Sequence, residues 1–146
     1  MNDLLPLAQF SANVQLKPDA PYLHQPVDGE LKTYTWAEVD QQARCIATAL
    51  LALEVSTGDR IGILSKNCAE WFIADLAIMM AGLISVPIYH TANRDTISYI
   101  LEDSDCKAVF VGKLDGMEEA EAALNESIPR IIFPYPSLTG QYSWDK

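Results

Sequence analysis

Three cysteines, two histidines and seven glycines among 146 residues leave little material for several common chemistries. Cys45, Cys68 and Cys106 are odd in number, far apart, and form no CxxC pair, so neither a disulfide framework nor a zinc site is indicated. His24 and His90 are too few for a His-rich metal centre. Positive charge is scarce. Ten Lys and Arg face twenty Asp and Glu, a net charge of −10, and a phosphate backbone would be repelled. A nucleic-acid partner is therefore not expected. No GxGxxG follows a strand-like stretch, GxxxxGK[ST] is missing, and "GKLDG" at 112–116 is too short for a phosphate loop. No serine is framed by glycines, so a Ser-His-Asp arrangement has no starting point. The N-terminus, "MNDLLPLAQF", carries no basic stretch ahead of an apolar core, and no secretory signal is read there. Together with the unpatterned cysteines this points to a reducing cytoplasm.

What is present fits one globular domain. The chain is 49% apolar and 21% charged, and it is long enough to bury a sizeable core. Acid gathers late: residues 95–126 hold nine Asp and Glu against Lys107 and Lys113, which reads as a solvated helical face. "WFIADLAIMMAGLISVPIY", residues 71–89, has the length of a membrane span. Asp75, Gly82 and Pro87 interrupt it, and a buried helix that turns into a buried strand accounts for all three.

"PYLHQPV" and "ELKTYT" flank Asp28-Gly29, a pair suited to the left-handed turn of a two-residue hairpin over 21–35. "TWAE" follows. Thr35 and Glu38 form a capping box, with Tyr34 and Val39 as its hydrophobic staple. Val39, Ala43, Ile46, Ala47 and Leu50 then repeat at helical spacing to about Leu53, and Gly58-Asp59 makes a turn. From Arg60 strand and helix alternate: strands at 60–65, 84–89, 107–112 and 130–133, helices at 68–81, 94–104 and 116–126. Asn67 is the expected N-cap of the first of these helices and Gly82 its stop, and Asp115 is a cap candidate for the last. Alternation with strands apolar throughout predicts an α/β fold: a doubly wound, mostly parallel, flavodoxin-like sheet of four strands with helices on both faces. Residues 1–133 then form one α/β unit, with the hairpin at 21–35 and the alternation at 36–133. "PYPSLTGQYSWDK", 134–146, reads as a connector.

In such a sheet ligands bind beyond the carboxyl ends of the strands. That places Ser65-Lys66-Asn67, Tyr89-His90-Thr91 and Gly112-Lys113 where a site would be. Each has a plain structural reading too. Asn67 is explained by capping, Thr91 or Asn93 can cap the next helix, and Tyr89 can be a half-buried strand residue with a wet hydroxyl. Lys66 is equally a solvated strand end. Pro87 donates no ladder bond, so its strand lies at an edge or carries a bulge.

The run from Thr33 to Lys113 resembles the N-terminal region of AMP-forming acyl-CoA synthetases, members of the adenylate-forming superfamily. The resemblance lies in a "TYxxh" helix start at Thr33–Trp36, "GDRIGIL", "N…EW…ADLA", "G…SVPIY.T" and "I.YIL.DS", and it covers residues 20–113. "EWFIADLA" followed by "SVPIYHT" is most similar to the long-chain fatty acid branch. His90 stands where many relatives carry proline. The resemblance implies a partial N-terminal subdomain of a larger ligase. That enzyme would use ATP, magnesium and coenzyme A to turn a long-chain fatty acid into an acyl-adenylate and then a thioester. The family's Ser/Thr/Gly-rich phosphate loop closed by Pro-Lys-Gly does not occur here, and "SLTGQYSW" is no substitute. It implies no catalytic residue in this chain, no tightly bound cofactor and no metal. Tyr89, His90, Thr91, Asn67 and Lys66 become lining or interface residues facing the remainder of the synthetase. Apolar surface left open by the missing remainder, at Trp144 and the Tyr89 tip, would drive self-association. The resemblance places the whole enzyme in the cytoplasm, peripheral to the inner face of a membrane. The competing reading is a stand-alone flavodoxin-like module that binds a partner or small ligand without catalysis.

Overall fold

The computed structural model describes residues 5–124, 126–135 and 139–145. Five parallel strands form the main sheet in the order β4-β3-β5-β6-β7. They are β3 (Arg60–Leu64), β4 (Ile84–Ile88), β5 (Cys106–Val111), β6 (Arg130–Ile132) and β7 (Tyr142–Ser143). The hairpin β1 (Pro21–Val27) and β2 (Glu30–Thr35) is a separate antiparallel pair. Five helices accompany them: α1 (Pro6–Leu16), α2 (Trp36–Ala52), α3 (Ala69–Met80), α4 (Arg94–Asp103) and α5 (Glu118–Ala123).

The period of two along the central strands sorts the core into two layers. Ile61, Ile63, Ala108 and Phe110 point to the side of α2 and α3, where they meet Val39, Ala43, Leu50, Ile73 and Ala77. Leu64, Val109 and Val111 point the other way, to Ile97 and Leu101 of α4 and Ala120 and Ala123 of α5. Helices therefore cover both faces, as the uniformly apolar strands predict. α3 buries seven of its twelve residues, which explains the membrane-like run; no helix among the described residues is long and apolar enough to cross a membrane. Asp75, the charge inside that run, accepts from Ser85 Oγ at 2.5 Å and ties α3 to β4.

Local signals hold where they depend on neighbours in sequence. Asp28 (φ 51°) and Gly29 (φ 84°) make the hairpin turn, and Gly82 (φ 73°) ends α3. Both bonds of the Thr35–Glu38 capping box are present. Pro87 lies on β4, an edge strand, where its missing N–H leaves no partner wanting.

Four expectations need correction. α1 is an additional element: Pro6 opens it, and Leu7, Phe10 and Val14 pack inward. Phe10 lies 5.7 Å from the Trp36 ring, which itself stacks on Tyr22 at 3.8 Å. Asn67 does not cap α3: the N-cap is Cys68, with no side-chain bond, and Asn67 is exposed. Asp115 does not cap α5, which starts behind Met117; its carboxylate goes to Lys66 instead. The sheet has five strands, because Tyr142–Ser143 pairs in parallel with β6. Trp144 then turns inward to Phe133 at 4.9 Å, edge to face, and is only partly exposed. Asn125 and residues 136–138, which fall in the expected last helix and the tail, lie outside the described residues.

Gly112 ends β5 in a space with no room for a side chain. A Cβ there would come within 2.3 Å of Phe133 and of Ser65 Oγ, whereas at Gly62 the nearest side chain would be 3.2 Å away. Gly112→Ala should therefore cost about 1–3 kcal/mol, and Gly62→Ala clearly less. Urea unfolding of both variants checks the order.

Candidate functional site

The strand order reverses between β3 and β5, since β4 lies outside β3 and the rest of the sheet outside β5. This is the switch point at which doubly wound sheets hold ligands. Here it is stitched shut. Lys113 N–H donates to Ser65 Oγ at 2.8 Å, and Ser65 Oγ–H donates to the Lys66 carbonyl at 2.7 Å. Lys66 N–H donates to the Lys113 carbonyl at 2.7 Å. The Lys66 ammonium is paired with Asp115, and it holds the Asp115 carboxyl below the usual carboxylate range. The Lys66 and Lys113 amides and the Lys66 ammonium, which could cradle a phosphate, each have an acceptor within the tip, and Phe133 fills the space over Gly112.

The open space lies one strand over. A cavity of about 500 Å³ beyond the carboxyl ends of β3 and β4 is lined by Ser65, Asn67, Trp71, Pro87, Ile88, Tyr89 and His90. Three of the residues singled out in the sequence, Asn67, Tyr89 and His90, are thus brought together. Tyr89 is 83% exposed, and its carbonyl accepts from the Ala92 amide at 3.0 Å, closing a turn over 89–92. Thr91 is exposed within that turn and does not line the cavity. Asn93 makes the cap of α4, its Oδ1 accepting from Thr96 N–H at 2.9 Å. Lys66 belongs to the switch point. The cavity has an apolar floor and a polar, open rim. Among the described residues no group of three or more His, Cys, Asp or Glu could hold a metal ion. What the cavity offers is shape and hydrogen bonding, with no arranged nucleophile, acid–base pair or metal set.

The most unusual chemistry of this end of the sheet was not singled out from the sequence. Glu70, in the first turn of α3, is 3% exposed. Tyr34 O–H donates to its Oε1 at 3.3 Å and Tyr135 O–H to its Oε2 at 2.7 Å. Burial pushes both tyrosine hydroxyls up from their ordinary range, and the Glu70 bond adds to this at Tyr135. The cap missing from α3 is supplied from the hairpin, where buried Gln25 accepts the Ala69 N–H through Oε1 at 2.9 Å. In sequence Glu70 is one acid among twenty, and nothing local separates it from a solvated helix end. Partners 36 and 65 residues away make it a buried acceptor.

The thiols follow the same environment. Burial raises the Cys68 thiol, which lies 3.8 Å from Ser65 Oγ, and pushes Cys106 up to about 11, while Cys45 is exposed. A raised thiol pKa means less thiolate at pH 8, and thiolate is the reactive form. A maleimide should therefore label Cys45 alone in the folded chain and all three cysteines after denaturation, as counted by mass spectrometry.

Comparison with known proteins matches residues 10–138 to a family model described as AMP-binding enzyme. The chain is 34% identical over 114 residues to the long-chain-fatty-acid–CoA ligase FadD15 of Mycobacterium bovis, covering 78% of this chain and 19% of that protein. It is 32% identical over 130 residues to long chain acyl-CoA synthetase 1 of Arabidopsis thaliana, covering 84% of this chain and 20% of that protein. It thus spans about a fifth of the length of these relatives. In structure it is similar to the anthranilate CoA ligase AuaEII solved with anthranoyl-AMP, with a TM-score of 0.80 at 22% identity over 95% of this chain and 26% of that one. That likeness is one of fold.

Proposed function

The chain belongs to the AMP-binding enzyme family, and from that premise we propose that it is the first α/β subdomain of an acid–CoA ligase acting on long-chain fatty acids. The whole enzyme would form an acyl-adenylate from ATP and pass the acyl group to coenzyme A. One observation carries this reading: the match runs along nearly the whole chain, and long-chain fatty acyl ligases and synthetases stand among the relatives above 30% identity. Residues 1–133 would be the subdomain and 134–146 the lead into the remainder. The enzyme would work in the cytoplasm, against the inner face of a membrane.

The residues present do not fit ATP or magnesium. A triphosphate needs free amide donors together with a cation aimed at it; at the switch point Lys66 is bonded to Asp115, the Lys113 ammonium lies 5.7 Å over the Tyr135 ring, and the Lys66 and Lys113 amides are bonded across the tip. No step of adenylation is therefore derived from these side chains, and ATP, magnesium and coenzyme A chemistry falls to the rest of the enzyme. This chain's part is to stand as scaffold. Tyr89, His90 and Asn67 line a wall that faces the next subdomain, with Lys66 and Thr91 at its margins. The same closed switch point weakens the competing reading of a free-standing flavodoxin-like binding module.

Two outcomes follow. The isolated chain should catalyse no fatty-acid-dependent ATP–pyrophosphate exchange, and the full-length protein should; exchange by the short chain at a comparable rate would overturn the assignment. Exposed Tyr89, together with Ile84 on the β4 edge and Phe72 on α3, 49% and 43% exposed, should make the isolated chain self-associate. Tyr89→Ser should reduce the concentration dependence of its light scattering.

A further inference from the structure

Three segments distant in the chain meet on one carboxylate. Glu70 belongs to α3, Tyr34 closes the hairpin, and Tyr135 follows β6; each hydroxyl holds a different oxygen of Glu70. Lys32 Nζ lies 4.8 Å from the centre of the Tyr34 ring, and Lys113 Nζ lies 5.7 Å from that of Tyr135, so a cation flanks each donor. The residue before Glu70 is bound to the same hairpin through Gln25. The hairpin has no strand pairing with the main sheet, and a lone two-stranded pair is marginal in water. Its place depends on apolar packing by Tyr22, Leu23 and Tyr34 and on these two buried polar attachments.

We propose that Glu70 is a shared clasp that joins the hairpin, the first turn of α3 and the segment after β6 into one unit that opens together, apart from the sheet. The physical reason is the sharing itself. Two donors on separate oxygens fix the carboxylate's orientation, and removing one frees it to turn away from the other. A negative group in the first turn also sits well with the α3 dipole. The α3 turn follows directly on Ser65-Lys66-Asn67, so the clasp also steadies the wall of the cavity beside it.

Hydrogen exchange by mass spectrometry on the intact protein tests it, with Glu70→Gln and Tyr135→Phe. In both variants residues 21–35, 69–72 and 133–135 should exchange faster together, by roughly tenfold to a hundredfold, the factor for one lost bond to a charged acceptor. Residues 60–64 and 94–103 should be unchanged. Tyr135→Phe is the more telling variant, because the Tyr135 hydroxyl bonds Oε2 of Glu70 while the hairpin's Tyr34 bonds Oε1. If it speeds 133–135 but leaves 21–35 alone, the clasp is not shared. Unchanged exchange in these segments, or a uniform rise along the whole chain, equally overturns the proposal. Should Glu70→Gln fail to fold, Tyr135→Phe decides the matter.

Discussion

Two adjacent parallel strands buried on both faces set the terms for everything around them. β3 and β5 expose almost nothing: Ile61, Ile63, Ala108, Val109, Phe110 and Val111 are each fully buried. A strand in that position needs a helix on each side, because its side chains point alternately to the two faces. α2 and α3 serve one face, and α4 and α5 the other. Gly62 and Gly112 are the places where the strands themselves give way, Gly62 to Leu101 and Gly112 to Phe133 and Ser65.

The same close approach governs the chemistry of the strand tips. With Gly112 pressed against Ser65 and Phe133, the two central tips bond to each other and take up the Ser65 hydroxyl and the Lys66 and Lys113 amides. Polar groups that look available in the sequence are used internally, Lys66 by Asp115 and Ser65 by the Lys113 amide. The remaining space shifts outward to the β4 edge, where Tyr89 and His90 form an open rim. The scaffold role proposed for this chain fits both features.

On the α2–α3 side the fold solves a different problem, how to attach a hairpin that pairs with no other strand. Aromatic stacking of Tyr22 on Trp36, with Phe10 of α1 against both, supplies the apolar part. Gln25 and Glu70 supply the directional part, and Gln25 also completes the start of α3, whose own N-cap residue contributes no side-chain bond. At Gln25, helix capping and hairpin docking are a single contact.

The elements whose signals are local could be read directly from the chain. The Asp28-Gly29 turn, the Thr35–Glu38 box, the Gly82 stop and the alternation from Arg60 onward each rest on residues a few positions apart, and backbone sterics and short-range bonds decide them. The family resemblance was legible for the same reason, since it lies in ordered short motifs. What only the tertiary structure decided involves partners far along the chain. Asn67 looked like a cap and is exposed, because Gln25 arrives from 44 residues away to take the amide. Asp115 looked like a cap and pairs with Lys66 across the switch point, 49 residues off. Tyr142–Ser143 read as connector and is a strand because β6 offers an open edge. Glu70 carries no local signal in the sequence, and two tyrosines brought over it by the hairpin and the end of β6 make it the most buried charge-bearing residue among those described. Sequence patterns specify which face of an element is apolar; which polar group meets which is fixed only when the elements pack, because a hydrogen bond requires its partners within about 3 Å.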